Sequence, residues 1–126
     1  MNPHASRLAF AAVIALAAVT AACSRSASAT CAKLASEVGV TECKDEPPTG
    51  GFSNASQASS FVCGPICHGW VYVFDTDARF DAATAVRADD MELMRASNPR
   101  TRTLVVLGGL NLKESDAAKI RSVVRP

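Results

Sequence analysis

The chain has little net charge and few motifs that carry chemistry. Its 126 residues include 13 Lys or Arg and 12 Asp or Glu, for a formal charge of +1 at neutral pH. This balance argues against nucleic acid and against membrane binding by charge alone, because both need a basic excess. The sequence also lacks a Gly-x-Ser-x-Gly motif, a phosphate-binding loop and a zinc-ligand pair. We therefore expect a protein that is not an enzyme and that holds no cofactor.

Long apolar runs are scarce, and the one that stands out lies at the N-terminus. It extends from Leu8 to Val19, follows Arg7 and leads through small residues to Cys23. A run of this length is too short to span a bilayer comfortably, and small residues after it are typical of a cleaved secretory signal. The stretch Thr20-Ala21-Ala22-Cys23 resembles the lipobox of bacterial lipoproteins. The resemblance implies cleavage after Ala22 and lipid attachment at Cys23, which becomes the new N-terminus.

The same resemblance implies a cellular location and a domain organisation. Residues 1–22 would be the signal peptide, residues 23–28 the lipidated cysteine and a flexible tether, and residues 29–126 a small periplasmic domain. Ser24 after the cysteine, rather than Asp, favours sorting to the outer membrane. An ordinary signal peptide cleaved after Ala27 or Ala29 is the alternative. Because small lipoproteins include immunity proteins, enzyme inhibitors and pilotins, we expect a protein partner in the envelope besides the membrane itself.

Four cysteines remain once Cys23 is set aside. An even number of cysteines in a small exported domain predicts two disulfides, and a core of about 100 residues gains from such links. Three connectivities are possible. Two of them join the 31–43 segment to the 63–67 segment and close longer loops, which removes more unfolded-state entropy. The sequence therefore favours a long-range pairing of the cysteines Cys31, Cys43, Cys63 and Cys67.

Apolar periodicity in the first half of the domain predicts helices and a loop. A first helix begins at Ser28 or Thr30, ends at Gly39 and buries one face made of Cys31, Leu34, Ala35 and Val38. Residues 44–51 contain Pro-Pro and Gly-Gly, which predicts a loop without regular structure. Asn54, with Gln57 three residues later, predicts a short helix through Val62.

The second half predicts two strands and two or more helices. Residues 68–75 alternate aromatic side chains with glycine and valine, and residues 102–107 form a second apolar run. Asp89 and Glu92 predict a short helix from Met91 to Ala96, and a last helix capped by Ser115 or Asn111 buries Ala117, Ile120 and Val124. The connection between the strands has crossover length, which favours a parallel pair. We therefore predict a small α/β or α+β domain stapled by disulfides.

One constellation could carry chemistry, namely Cys63-Gly-Pro-Ile-Cys67-His68. It resembles an expanded c-type haem motif, which implies His68 as one iron ligand and Met91 or Met94 as the other. It also resembles a thioredoxin Cys-Gly-Pro-Cys site with one residue inserted, or a copper-binding pair. The third interpretation is structural, with both cysteines in disulfides, and the other two cysteines favour it.

A faint calcium-loop pattern follows the aromatic strand. Asp75, Asp77 and Asp81 alternate with other residues, but Arg79 occupies a position that needs an oxygen ligand. The stretch is therefore interpreted as a solvated turn. A Ser-His-Asp hydrolase would have to use His68, the only histidine beyond the signal, and no motif supports it. The favoured function is a protein-binding, inhibitory or assembly-support module of the envelope, with a redox, copper or haem protein on Cys63, Cys67 and His68 as the alternative.

Overall fold

The computed structural model describes residues 26–86, 92–109 and 112–126. The predicted signal peptide, Cys23, most of the tether, Met91 and Asn111 lie outside these ranges. The described helices are α1 (Ala27–Glu37), α2 (Asp77–Thr84) and α3 (Glu114–Val124). The strands are β1 (Thr41–Glu46), β2 (Gln57–Gly64), β3 (Cys67–Val73), β4 (Glu92–Asn98) and β5 (Thr103–Gly109), and a 3-10 turn covers Gly50–Phe52. No helix in these ranges is long and apolar enough to cross a membrane.

The five strands form one sheet in the order β1-β2-β3-β5-β4, and every neighbouring pair is antiparallel. This confirms the small α+β domain and its stapling by disulfides. The predicted parallel pair is wrong, because the two strands predicted from the apolar runs, β3 and β5, are antiparallel. The helical connection after β3 does bring the chain back so that the next strand runs in the same direction as β3. That strand is β4, and β5 then turns back and lies between β3 and β4.

Each face of the sheet carries its own core. Helices α1 and α3 pack on the first face, where Leu34 and Ile120 are fully buried against Phe61, Val71 and Leu107. On the second face, Phe80 of α2 and Phe52 of the 3-10 turn cover Tyr72, Phe74 and Leu104. The rings of Phe52 and Tyr72 lie 4.6 Å apart between centroids. The aromatic strand is thus covered on both sides, as its alternation predicts.

Helix α1 begins earlier than the sequence predicts. Ser26 is its N-cap, and its Oγ accepts a hydrogen bond from the backbone N–H of Ala29 at 3.0 Å. Ser28 and Thr30 were the predicted caps, but both lie inside the helix. The predicted end at Gly39 is confirmed, since this residue has a φ of +88°, which glycine adopts without strain.

Two predictions of local structure are wrong, and a third, the loop at 44–51, is wrong in part, since only residues 47–49 lack regular structure. The predicted loop at 44–51 contains the end of β1, the predicted helix at 54–62 is mostly β2, and the predicted helix from Met91 to Ala96 is mostly β4. Strand β2 lies between β1 and β3 and is bonded on both sides, while β4 pairs with β5. Pairing in the sheet therefore overrides the weak helical preference of these segments.

The last helix is confirmed in position but not in its cap. Ala117, Ile120 and Val124 are buried along α3, as predicted. The N-cap is Lys113, whose side chain makes no capping hydrogen bond, and Ser115 lies inside the helix. Glu114 and Asp116 in the first turn place negative charge at the positive end of the helix dipole, which favours the start without a cap.

The two predicted disulfides are present, but the favoured long-range connectivity is wrong. Cys31 pairs with Cys43 and Cys63 pairs with Cys67, at Cα–Cα distances of 6.0 and 5.0 Å. The first bond ties α1 to the edge strand β1. The second joins the two strands of the β2–β3 hairpin. Both pairs are local because α1 runs directly into β1 and β2 turns directly into β3, which brings each cysteine next to its neighbour in sequence.

Candidate functional site

The Cys63–His68 motif forms the tip of the β2–β3 hairpin. Gly64 pairs with Cys67, so the turn between the strands consists of Pro65 and Ile66. Ile66 is 44% exposed at this tip. Gly109, at the end of β5, has a φ of +122°, and a Cβ there would collide with the carbonyl of Ile66. The tip is therefore held by the disulfide, by the hairpin ladder and by close contact with β5.

The motif's cysteine and histidine side chains point to opposite faces of the sheet. Cys67 is 2% exposed and belongs to the first core, with Cys63 packed against that core. His68 is the next residue along the strand and is exposed. Successive side chains of a strand alternate between faces, so these three residues are not brought together as one ligand set.

Of the two methionines considered as iron ligands, the structure describes only Met94. Met94 is 7% exposed and belongs to the first core, on the face opposite His68. Among the residues that the structure describes, no group of three or more His, Cys, Asp or Glu could hold a metal ion.

Within the part of the chain that the structure describes, the second face of the sheet is covered at one end and open at the other. Strand pairing aligns three rows of side chains across this face. In the row of Tyr72 the neighbours Ala58 and Leu104 are buried. In the row of His68 the neighbours are Val62, which is half-buried, and Thr41, which is exposed.

Between these two rows lies Trp70, the only tryptophan of the chain. It is partly buried against the second core, while Ser60 beside it is half-buried and Lys44 beyond is exposed. We call Val62, Ile66, His68 and Trp70 the open patch. It offers an aromatic ring and aliphatic side chains to solvent, with a polar rim.

The covered row has one electrostatic consequence. Burial raises the pKa of the Tyr72 hydroxyl above its ordinary value of 10.0, and the carboxylate of Glu46 raises it further. Glu46 pairs with Ala58, which in turn pairs with Tyr72, so the carboxylate lies in the same row of the sheet. The hydroxyl therefore stays protonated over the whole neutral range.

The stretch with the faint calcium pattern holds ion pairs instead. The Asp75 carboxylate accepts from Arg79 at 3.2 Å, and the Asp77 carboxylate accepts from Arg102 at 2.7 Å. Thr76 caps α2, whose helix begins at Asp77, so the predicted turn is shorter than expected. Asp81 is exposed on that helix.

The chain was compared with known protein families, curated proteins and solved structures. No protein-family model, curated protein or solved structure matches this chain. The candidate site therefore depends on the geometry of the chain itself. Sequence reasoning identified the hairpin cysteines and His68 but missed Val62 and Ile66 as surface residues. The alternation of His68 and Trp70 along their strand indicated that the two side chains share one face of the sheet. A predicted strand at 57–64 would have placed Val62 beside His68 on that face.

Proposed function

We propose that this protein is a lipoprotein of a bacterial envelope, anchored through Cys23, whose domain binds a partner protein through the open patch. The observation that carries the binding role is the uneven cover of the sheet's second face. Trp70 and Val62 are only partly buried, and Ile66 is exposed in the turn that connects their two strands. Aromatic and aliphatic side chains in a surface with a polar rim are typical of the centre of protein interfaces.

The two disulfides support the exported location. All four cysteines of the described residues are paired, and such bonds persist in oxidising compartments rather than in the cytosol. The charge balance supports attachment by lipid rather than by charge. Once Arg7 leaves with the signal, 12 basic residues stand against the 12 acidic ones, so no basic excess remains to hold a membrane surface.

The anchor is tested by the intact mass of the protein isolated from its own membranes. We expect a chain that begins at Cys23, carries acyl groups and gains four hydrogens on reduction. In the Cys23→Ser variant the domain should move to the soluble fraction after cleavage, or remain as an uncleaved precursor if processing needs the lipid. A wild-type mature chain without acyl mass would contradict the anchor. A haem adduct, or free thiols at Cys63 and Cys67, would move the function to the hairpin motif.

The binding role is tested by site-specific photo-crosslinking in the native envelope. A crosslinker at Val62 should form one defined adduct, and a crosslinker at Ser122, exposed on α3, should not. The Ile66→Asp change should abolish the Val62 adduct, because it places a charge in the apolar patch. The Ala118→Asp change, at another exposed position on α3, adds the same single charge, so it is the matched control and should leave the adduct in place. Equal adducts at Val62 and Ser122, or an adduct that survives Ile66→Asp, would contradict the patch.

A further inference from the structure

Under the proposed function the domain is tied to the membrane by a very short segment. Helix α1 is capped by Ser26, and Cys23 lies three residues before it. Three residues span about 11 Å at full extension. The start of α1 is therefore confined to a thin layer next to the lipid headgroups, whatever the conformation of the tether.

The start of α1 is fixed to one end of the sheet. The backbone N–H of Ala27 donates to Gln57 Oε1 at 3.0 Å, which binds the helix to the first residue of β2. Strand pairing places Gln57 beside Val73, Val73 beside Thr103, and Thr103 beside Asn98. We call this end, with the β4–β5 turn at 99–102, the N-terminal pole.

The hairpin tip lies at the other end of the same strands. Strand β3 runs from Cys67 at the tip to Val73 at the N-terminal pole. Its seven residues span about 20 Å at the usual rise of a strand. This length exceeds the reach of the tether, so the tip cannot be the part of the domain that stands on the membrane.

We infer that the N-terminal pole faces the lipid headgroups and that the hairpin tip, with the open patch beside it, faces away from the membrane. The inference rests on the proposed lipidation of Cys23 and goes beyond it by assigning the lipid-facing surface. Arg79 and Arg102 near the pole are paired with Asp75 and Asp77. A third arginine of the pole, Arg100, is exposed in the β4–β5 turn. The excess among these residues is therefore a single positive charge, which is far from a polybasic surface, and the tether rather than lipid charge sets the orientation.

The orientation is tested with the acylated full chain in vesicles whose lipid headgroups carry a quencher. A fluorophore is attached to an introduced cysteine, in either Arg100→Cys or Lys113→Cys. Both positions are exposed, and each change removes one positive charge, so the two variants are matched. Arg100 lies in the β4–β5 turn at the N-terminal pole, and Lys113 follows the far end of β5 by four residues.

We expect the Arg100 label to be quenched severalfold more than the Lys113 label. The difference should be the same in neutral phosphatidylcholine vesicles and in vesicles that also contain anionic phosphatidylglycerol. Equal quenching, stronger quenching at Lys113, or a preference that appears only with anionic lipid would overturn the inference while the acyl mass still supports the anchor. A chain without acyl groups at Cys23 would overturn both.

Discussion

Gly69 is a residue at which the sheet tolerates little change. It lies in β3 directly beneath the ring of Phe61, a fully buried residue of the first core. A Cβ at this position would overlap three atoms of that ring. The ring of Phe61, which comes from the neighbouring strand β2, can therefore lie over Gly69 only because the side chain there is a single hydrogen.

We predict that Gly69→Ala destabilises the domain by about 1–3 kcal/mol, the usual range for overpacking a core. The free energy of unfolding is measured by urea denaturation followed by circular dichroism. Gly51→Ala is the matched control, because a Cβ there meets only Val86 at an ordinary contact distance of 3.7 Å. A loss for Gly69→Ala no larger than that for Gly51→Ala would show that Phe61 can move aside.

Tyr72 makes the stability of the domain sensitive to alkaline pH. Burial and Glu46 raise its pKa in the folded state above 10.0. Below the unfolded-state pKa the phenol is protonated in both states, so its contribution to stability is fully present. As the pH rises through the folded-state pKa this contribution is lost, because the unfolded chain ionises first.

We therefore predict that the free energy of unfolding falls from about pH 10 upwards, and that it falls less in Tyr72→Phe. Tyr72 is the only tyrosine, so the ultraviolet absorbance of phenolate measures its pKa directly in the folded protein. An apparent pKa at or below the ordinary value would contradict the prediction.

At the scale of elements, the two disulfides differ in what they hold. Cys31–Cys43 spans 12 positions and ties the edge strand β1 to α1, whereas Cys63–Cys67 spans 4 positions within a hairpin. Strand β1 pairs with one neighbour only, and most of its residues are exposed. The longer loop also removes more entropy from the unfolded chain.

We predict that the double change of Cys31 and Cys43 to Ala costs about 3 kcal/mol and that of Cys63 and Cys67 about 2 kcal/mol, from loop-closure entropy. Chemical denaturation gives the two free energies of unfolding. Hydrogen exchange in the first variant should show the earliest loss of protection in β1. A larger cost for the hairpin disulfide would mean that its contact with β5 contributes more than loop closure does.

The elements that the sequence predicts are those whose own residues decide them. In β3 aromatic side chains alternate with small or branched ones, and in α3 the buried residues Ala117, Ile120 and Val124 follow the helical repeat. In α1, Gly39 ends the helix at a positive φ. These signals are local, so a single sequence carries them.

The elements that the sequence misses depend on partners elsewhere in the chain. Strand β2 is rich in Ser and Ala and has no strict alternation of its own, and β4 contains Leu, Met and Arg, which favour helices. Each becomes a strand because a neighbour supplies the hydrogen bonds. For the same reason the sequence did not indicate Val62 as a site residue and favoured the wrong cysteine pairing. Both depend on the β2–β3 hairpin.

At the scale of the whole molecule, one sheet supports two separate cores. Val105 and Leu107 of β5 belong to the core under α1 and α3, while Leu104 and Val106 of the same strand belong to the core under α2. If the strands separated, both cores would be exposed to solvent, because they share the same sheet. The two layers are therefore coupled through the backbone of β5.

We predict that the domain unfolds in a single cooperative transition. Trp70 fluorescence reports on the second face, and far-ultraviolet circular dichroism reports mainly on the helices, of which α1 and α3 lie on the first face. The two signals should give the same denaturation midpoint and slope. A separate earlier transition in Trp70 fluorescence would mean that the α2 layer unfolds alone.

The order of strands also decides how the chain can find its fold. Strands β1, β2 and β3 pair with their neighbours in sequence, as do β4 and β5, so the two groups can form independently. Among the strand pairings of the described residues, only the seam between β3 and β5 joins distant residues, from Val73 with Thr103 to Cys67 with Gly109. Closing that long connection costs entropy before its contacts form, so we expect the meeting of the two groups to limit the folding rate.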